Sequence, residues 1–341
     1  MTILLLILLL LCLWGIRFSG FHRDFLSPAG TTAVKGLFTF LILFSHARGY
    51  LQLSASWIDS VYVTVQNHLG QLIVALFFFY SGYGIWESFR KKDRYEKNFF
   101  RKRILKILIH FDIAVLLYIV VQLFIPIVYP ARAYLLCWVG YESVGNSNWF
   151  IFVILCLYLA ALMGMYFHRK AGRWGIPVVL LLTAVLWAAL RFGAGKESWW
   201  LDTMAVFPLG MAASAVREPL VRLLQKRGMP MVLTGLALLL FAGWKVVAGN
   251  DVYGIAACLF CCLVVTASAW IKVDNPVLQW AGKNAFTIYI IQRLPMIVLT
   301  ALGLNKQPAV FLPVAFLLTF LLAEGLSRLY ERIDNKLFVN G

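Results

Sequence analysis

The amino-acid sequence predicts an all-α, polytopic transmembrane protein. Hydrophobic residues make up 62% of the 341 residues and charged residues 13%, whereas soluble domains carry about 25% charged residues. Apolar runs of roughly 20 residues recur along the chain, and a helix of that length crosses about 30 Å of hydrocarbon. The short alternating segments of a membrane β-barrel do not occur in the sequence. The lipid bilayer is therefore the first partner that we expect.

Short polar loops separate the apolar runs into about ten or eleven predicted spans. These cover residues 2–18, 35–53, 67–87, 104–129, 147–167, 174–191, 199–215, 229–248, 252–271, 284–303 and 308–327. The first run has neither the basic start nor the small-residue cleavage site of a signal peptide, so we expect it to be retained. No internal repeat is evident, which favours a single domain.

The basic residues predict the orientation, because loops rich in Lys and Arg stay in the cytoplasm. Basic residues crowd the stretch 87–106, while the loops 54–66 and 249–251 contain none. Basic and non-basic loops alternate, which places the N-terminus outside and the C-terminus in the cytoplasm. The net charge of +16 follows from these clusters. They form no extended basic face, so we expect no nucleic-acid partner.

The six cysteines do not indicate a disulfide framework or a metal site, because all of them lie in apolar stretches. They are Cys12, Cys137, Cys156, Cys258, Cys261 and Cys262. Within an apolar helix such residues serve mainly as small packing side chains. We therefore expect no bound metal.

Two ionisable residues stand out in the apolar stretch from Thr31 to Tyr50. Ten residues separate Lys35 from His46, so a helix returns both side chains to one face, about 16 Å apart. Ionisable groups in a span are costly and usually line a cavity. Snorkelling by Lys35 and a helix–helix hydrogen bond by His46 are the structural alternatives. The spacing thus indicates a cation near the cytoplasmic end and an imidazole halfway through the membrane.

With this spacing, Lys35 and His46 resemble the basic-x10-His signature of the acyltransferase type 3 family of membrane proteins. Four more segments resemble that family's pattern in the same order: FFFYSGYG at 77–84, RILK at 103–106, NWFIFVILCLY at 148–158 and GKNAFTIYIIQ at 282–292. The resemblance covers residues 31–327. It defines the predicted core of a single domain over 1–341, with an extra leading span in 1–30 and a cytoplasmic tail in 328–341.

Two residues depart from the family's pattern. Gln292 stands where many members have His, which removes a second ionisable group from that segment. Lys106 replaces an Arg, which keeps the charge but loses the bidentate geometry of a guanidinium.

The resemblance implies acyl transfer from acyl-CoA, commonly acetyl-CoA, to a hydroxyl that is often on a surface saccharide. No cofactor would be bound permanently, since acyl-CoA is a co-substrate. Arg103, Lys106 and His110 fall on one helix face, and the first two would bind the CoA phosphates. The alternative is that these basic residues only mark a cytoplasmic loop, as the positive-inside rule predicts.

The remaining candidates follow from the same resemblance and from their positions in the predicted spans. His46 would act as the general base, and Lys35 would attract the donor's anionic groups. Ser81 and Gly82 would line a narrow passage for the pantetheine arm, or else form a close helix contact. The candidate acceptor-binding residues are Asn148, Trp149, Tyr289, Gln292 and Asp202; interfacial anchoring is the alternative for the first two. Glu324 and Arg328 are spaced for a helix ion pair.

The sequence therefore predicts a multi-pass acyltransferase, most simply in a bacterial cytoplasmic membrane. Its donor would be acyl-CoA on the cytoplasmic side, and its acceptor an extracytoplasmic saccharide or glycolipid. The first rival is a secondary transporter of a small anionic or sugar-like solute, which would show paired, interrupted helices in corresponding halves. A non-catalytic membrane scaffold is the second rival, but it leaves Lys35 and His46 without a purpose.

Overall fold

The structure, a computed structural model, describes residues 2–18, 20–51, 53, 57–247 and 253–339. It is predominantly helical, which confirms the predicted fold class. The helices are α1 Thr2–Leu13, α2 Pro28–Arg48, α3 Trp57–Leu69, α4 Leu72–Lys91, α5 Lys106–Gln122, α6 Ala131–Leu136, α7 Trp149–Ala171, α8 Gly175–Ala188, α9 Val206–Ala215, α10 Arg217–Leu224, α11 Met229–Val247, α12 Tyr253–Ser268, α13 Pro276–Lys283, α14 Ala285–Ile291, α15 Arg293–Ala301 and α16 Pro308–Asp334.

A short antiparallel sheet, which the sequence did not predict, joins β1 Ile16–Phe18 to β2 Ile271–Val273. Residues 16–18 were assigned to the first span, but α1 ends earlier. Gly15 has φ +88°, a left-handed conformation that ends a helix and favours glycine. Asn275 then donates from Nδ2 to the carbonyl oxygens of Leu11 at 2.8 Å and Trp14 at 3.1 Å. These contacts fasten the N-terminal helix to the start of α13.

Several helical stretches are long and apolar enough to cross a membrane, which confirms the multi-pass character. Within the described residues these are Pro28–Arg48, Asp59–Lys91, Phe100–Gln122, Trp149–Gly193 and Pro308–Phe338, and the bent pair Pro276–Lys283 and Ala285–Ala301 makes a sixth if it is one span. Shorter apolar helices cover Val206–Ala215, Met229–Leu239 and Tyr253–Ser268. The predicted total of spans and the orientation of the termini stay predictions.

Helix α2 lies at the centre of the fold and packs against α4, α12, α13, α14 and α15. Its start is encoded locally, because Ser27 Oγ accepts a hydrogen bond from the Gly30 amide at 3.0 Å and Pro28 occupies the first turn. Two glycines let α2 and α13 approach closely. A Cβ at Gly36 would collide with the Leu278 carbonyl, and one at Gly282 would collide with a carbonyl of α2. This contact sets Lys35 beside the junction of α13 and α14.

A second close contact joins α4 to α9. A Cβ at Gly82 would collide with the Phe207 carbonyl, and a Cβ at Gly210 would collide with the Phe79 carbonyl. Backbone carbonyls in a helix cannot move aside as a side chain can. Small residues at such positions allow membrane helices to pack backbone to backbone.

We expect Gly82→Val to destabilise the protein strongly, because the new side chain would force α4 and α9 apart. Overpacking of this kind costs about 1–3 kcal/mol or more. Gly84→Val is the matched control, since a Cβ at Gly84 meets nothing within 4 Å and the same helix carries both changes. The melting temperature and monodisperse yield in detergent measure the effect. Equal losses in both variants would show that helix propensity, and not the α4–α9 contact, is responsible.

Candidate functional site

The candidate site is a cavity of about 740 Å³ enclosed by α2, α4, α5, α7, α14 and α16. Along α2, its wall is formed by Lys35, Thr39 and Ile42. These residues follow one another by three or four positions, and His46 comes four positions after Ile42. They therefore form one stripe on the helix. The predicted common face of Lys35 and His46 is thus the face that α2 turns toward the cavity.

One end of the cavity, here called the basic mouth, carries most of its charged side chains. The cations are Lys35, Lys102, Arg103, Lys106, Lys283 and Arg328, and the acids are Glu324, Glu331 and Asp334. Two of these acids are already engaged. Lys106 Nζ lies 2.5 Å from Asp334, and Arg328 lies 2.9 Å from Glu324, which confirms the predicted helix ion pair. In the described part of the chain the other four cations have no carboxylate within 4.0 Å, so the basic mouth keeps a positive excess.

The segment RILK lines the cavity, and Arg103, Lys106 and His110, which were predicted to share one helix face, are all in its wall. Residues Phe100–Leu105 form a wide helical turn that leads into α5. Arg103 Nε donates to the Tyr95 hydroxyl at 3.2 Å. His110 is held by Asp334 Oδ1, 3.0 Å from its Nε2. Arg103 is therefore the member of this segment whose charge is not paired with an acid.

The predicted span 284–303 corresponds to the helical stretch Ala285–Ala301, and a sharp bend separates it from the preceding helix α13. Axes of Pro276–Lys283 and Ala285–Ala301 differ by 65°, and residues 282–287 around the break line the cavity. Asn284 Nδ2 donates to the Trp280 carbonyl at 3.1 Å, and its Oδ1 accepts from Ser327 Oγ at 2.7 Å. Non-helical backbone within a membrane protein is tolerated where it lines a cavity.

Aromatic and amide side chains close the opposite end of the cavity. Phe150 and Tyr289 contact each other edge to face, with ring centroids 5.4 Å apart. Gln292 is fully buried, and its Nε2 donates to the Tyr289 carbonyl at 3.2 Å. Gln292 Oε1 has no hydrogen-bond partner among the residues that the structure describes. A buried carbonyl oxygen without a hydrogen-bond partner costs free energy. A substrate that donates a hydrogen bond to Gln292 Oε1 would remove this cost.

His46 lies directly behind this closed end. Its ring meets Tyr289 edge to face, with centroids 6.2 Å apart, but His46 itself is not part of the cavity wall. The imidazole is partly exposed, and within the described residues no hydrogen bond engages its nitrogens. Tyr289 is therefore the cavity-wall residue that contacts the imidazole.

The other predicted site residues lie at varied distances from this centre. Ser81 lines the cavity and lies 3.4 Å from the Tyr158 hydroxyl, whereas Gly82 faces α9. Asn148 Nδ2 donates to the Gly140 carbonyl at 3.0 Å. Trp149 packs on Phe78 with ring centroids 6.4 Å apart. Asp202 occupies a turn after residues Ser198–Trp200, and none of the last three lines the cavity.

Sequence reasoning missed Asp334 as an acidic partner at the mouth, and it missed the cation beyond Gln292. Asp334 follows the predicted last span, and only the return of α16 to α5 brings it to Lys106. Arg293 lies next to Gln292 but outside the cavity wall, where its Nε donates to the Tyr50 hydroxyl at 3.2 Å. A charged residue inside the predicted span 284–303 was the available signal.

The fold and the cavity together define a multi-pass membrane protein with an internal cavity. A family model described as an acyltransferase domain, that of the acyltransferase type 3 family, matches residues 29–328. No curated protein and no solved structure gives a significant match to the chain. Because the family model covers most of the sequence, the chain belongs to the acyltransferase type 3 family and is an acyltransferase.

Proposed function

We propose that the protein moves an acyl group, most simply acetyl, from acyl-CoA on the cytoplasmic side to a hydroxyl of an extracytoplasmic or lipid-linked saccharide. One observation carries this proposal. A single cavity has unpaired cations at one end and, behind its other end, an imidazole on the same stripe of α2. The first suits an anionic donor, and the second suits proton removal from an acceptor.

The basic mouth fits the chemistry of coenzyme A. The donor carries a diphosphate and a 3′-phosphate, and guanidinium and ammonium groups bind phosphate through charge-assisted hydrogen bonds. Lys35, Lys102, Arg103 and Lys283 each lack a carboxylate within 4.0 Å among the described residues, and the lining cations outnumber the lining acids by six to three. A volume of about 740 Å³ lies within the ordinary range for ligand pockets. Ser81 and Tyr158 would flank the pantetheine arm further in.

The reaction follows from the position of the imidazole. His46 would take the proton of the acceptor hydroxyl as its oxygen attacks the thioester carbonyl. A C–O bond forms, the C–S bond breaks, and the thiolate of coenzyme A leaves and takes up a proton. Tyr289 and Gln292, between the cavity and His46, would orient the acyl carbonyl and the attacking oxygen. Asn148, Trp149 and Asp202 stay acceptor-site predictions.

The direct test is acceptor-dependent release of coenzyme A by the purified protein. Acetyl-CoA and longer acyl-CoAs are supplied in turn, and free thiol is measured. We expect turnover with at least one donor and transfer of its label to a saccharide hydroxyl. Labelled lipid or amine as the sole product would contradict O-acylation of a saccharide.

Arg103→Ala should raise the KM for acyl-CoA by about 10-fold to 100-fold, because a charge-assisted hydrogen bond to phosphate is worth roughly 1.5–3 kcal/mol. Lys106→Ala should have a smaller effect, since Asp334 already engages that ammonium. Lys92→Ala is the matched control, because Lys92 is exposed just after α4 and lies outside the cavity. Steady-state kinetics and calorimetry with coenzyme A provide the measurement. Equal effects at positions 92 and 103 would mean that the basic residues act on topology alone.

A secondary transporter of a small anionic or sugar-like solute is the second candidate. The 65° break beside the cavity favours it, because broken helices often form transporter binding sites. Uptake of labelled solute into proteoliposomes without acyl-CoA would support it. We expect no such uptake, and we expect acyl transfer to need only donor, acceptor and protein.

A further inference from the structure

A second polar site lies on the far side of His46 from the basic mouth. It is formed around Arg293, the first residue of α15, and is here called the outer cluster. Gln292 faces the cavity, and on a helix the next side chain points about 100° away. Arg293 accordingly does not line the cavity. It reaches instead toward Tyr50, just beyond the end of α2, and toward Asn146 in the loop before α7.

The guanidinium of Arg293 has no counter-ion in the described part of the chain. Its Nε donates to the Tyr50 hydroxyl at 3.2 Å, and its Nη1 donates to the Asn146 carbonyl at 3.4 Å. An arginine has five N–H donors, so most of them are left over. The side chain is partly exposed. A cation that contacts only neutral groups is energetically unfavourable in a membrane protein. The Arg293 guanidinium can therefore bind an anion.

Two further groups in the outer cluster are buried without a partner. Asn146 is 1% exposed and Ser147 is 2% exposed. Neither Asn146 Nδ2 nor Ser147 Oγ has a hydrogen-bond partner among the described residues. The loop that carries them is fixed, because Asn146 Oδ1 accepts from the Val144 amide at 3.0 Å and Gln122 Nε2 donates to the Val144 carbonyl at 2.8 Å. The loop thus fixes these two polar groups on Asn146, whose carbonyl accepts from Arg293, and on the residue next to it.

We infer that the outer cluster binds an anionic group, carboxylate or phosphate, of the saccharide that receives the acyl group. This inference rests on the proposed function and names the class of its acceptor. Arg293 and Asn146 Nδ2 are donors, as an anion requires, and Ser147 can also donate. Tyr50, whose hydroxyl accepts from Arg293, follows His46 by four residues, so an anion bound at Arg293 would hold a neighbouring sugar hydroxyl close to the imidazole. The donor's phosphates would stay at the basic mouth, on the other side of Tyr289.

Binding without acyl-CoA tests the inference separately from catalysis. The probes are glucuronate for a carboxylate, glucose 6-phosphate for a phosphate, and glucose as the neutral sugar, each titrated calorimetrically into the purified protein. We expect wild-type protein to bind at least one anionic sugar at least about 10-fold more tightly than glucose. Whichever anionic probe is preferred identifies the acceptor's charged group. No preference for charge in the wild type, including no binding of any probe, would overturn the inference.

Variants of Arg293 test whether this residue causes the preference for anionic sugars. Arg293→Gln should abolish the preference for anionic sugars. Arg293→Lys should retain part of this preference, since lysine keeps the charge but loses the bidentate geometry of the guanidinium. Arg132→Gln is the matched control, because Arg132 is an exposed arginine of α6 that pairs with Glu142 at 3.4 Å. An unchanged preference in Arg293→Gln would place the anion elsewhere and defeat the inference. Coenzyme A binding is measured on the same samples, so a fault in the donor site is recognised separately.

Discussion

Replacing His46 with alanine should lower the rate of acyl transfer by a factor of about 10²–10⁴, the usual contribution of a general base. Without the imidazole, the acceptor hydroxyl keeps its proton and is a poor nucleophile. Acyl-CoA binding should be unchanged, because Tyr289 stands between His46 and the cavity. The change should therefore appear in kcat, with little effect on the KM for the donor. Insertion should be unharmed, since one polar side chain fewer is easier to insert.

The measurement compares His46→Ala with His68→Ala. His68 lies near the end of α3, where its Nδ1 is 2.6 Å from the Thr64 carbonyl, and it has no contact with the cavity. Its loss should leave turnover close to that of the wild type. Coenzyme A binding and melting temperature are recorded for both variants. Near-normal kcat in a folded His46→Ala protein would falsify the general-base assignment.

Much of the inner architecture could be predicted from local pattern. The helical period predicts that Lys35 and His46 share one helix face, and that Arg103, Lys106 and His110 share another. Each set lies within one continuous helical stretch, so the predicted faces are found in the structure. Ser27 and Pro28 mark the start of α2 by their own chemistry. Such features depend on neighbours in the chain, so they can be read without knowledge of the tertiary fold.

Contacts between distant segments could not be predicted in this way. The pairing of Lys106 with Asp334 needs the return of α16, and the backbone contact at Gly82 needs the position of α9. Helix α13 was also missed, because residues 276–283 lie between two predicted spans and an apolar window does not detect a short helix there. Arg293 was visible as a charge in a span, but its neighbours Tyr50 and Asn146 come from two other segments.

Acyl transfer should also proceed across a sealed membrane. The proposed orientation, which rests on the basic loops, puts the mouth with Arg103 and Lys102 in the cytoplasm, whereas His46 lies about 16 Å along α2 from Lys35. The phosphates of coenzyme A cannot enter hydrocarbon, so the thioester alone would reach inward past Ser81 and Tyr289. The acceptor would approach His46 from the opposite side, past Arg293. We therefore expect donor and acceptor to react while in different compartments.

Proteoliposomes with the cytoplasmic face outward provide the measurement. Labelled acyl-CoA is added to the bulk solution, and a membrane-impermeant saccharide is trapped in the lumen. Label should appear on the trapped saccharide at a rate close to that in detergent-opened vesicles, and vesicles carrying His46→Ala should show about 10²-fold less or lower still. Vesicles of the reverse orientation should label nothing until opened, because acyl-CoA then faces the wrong side. Labelling confined to vesicles in which donor and acceptor share a compartment would make the enzyme a same-side transferase. The stripe from Lys35 to His46 would in that case position a single substrate, and no path for the acyl group across the membrane would be required.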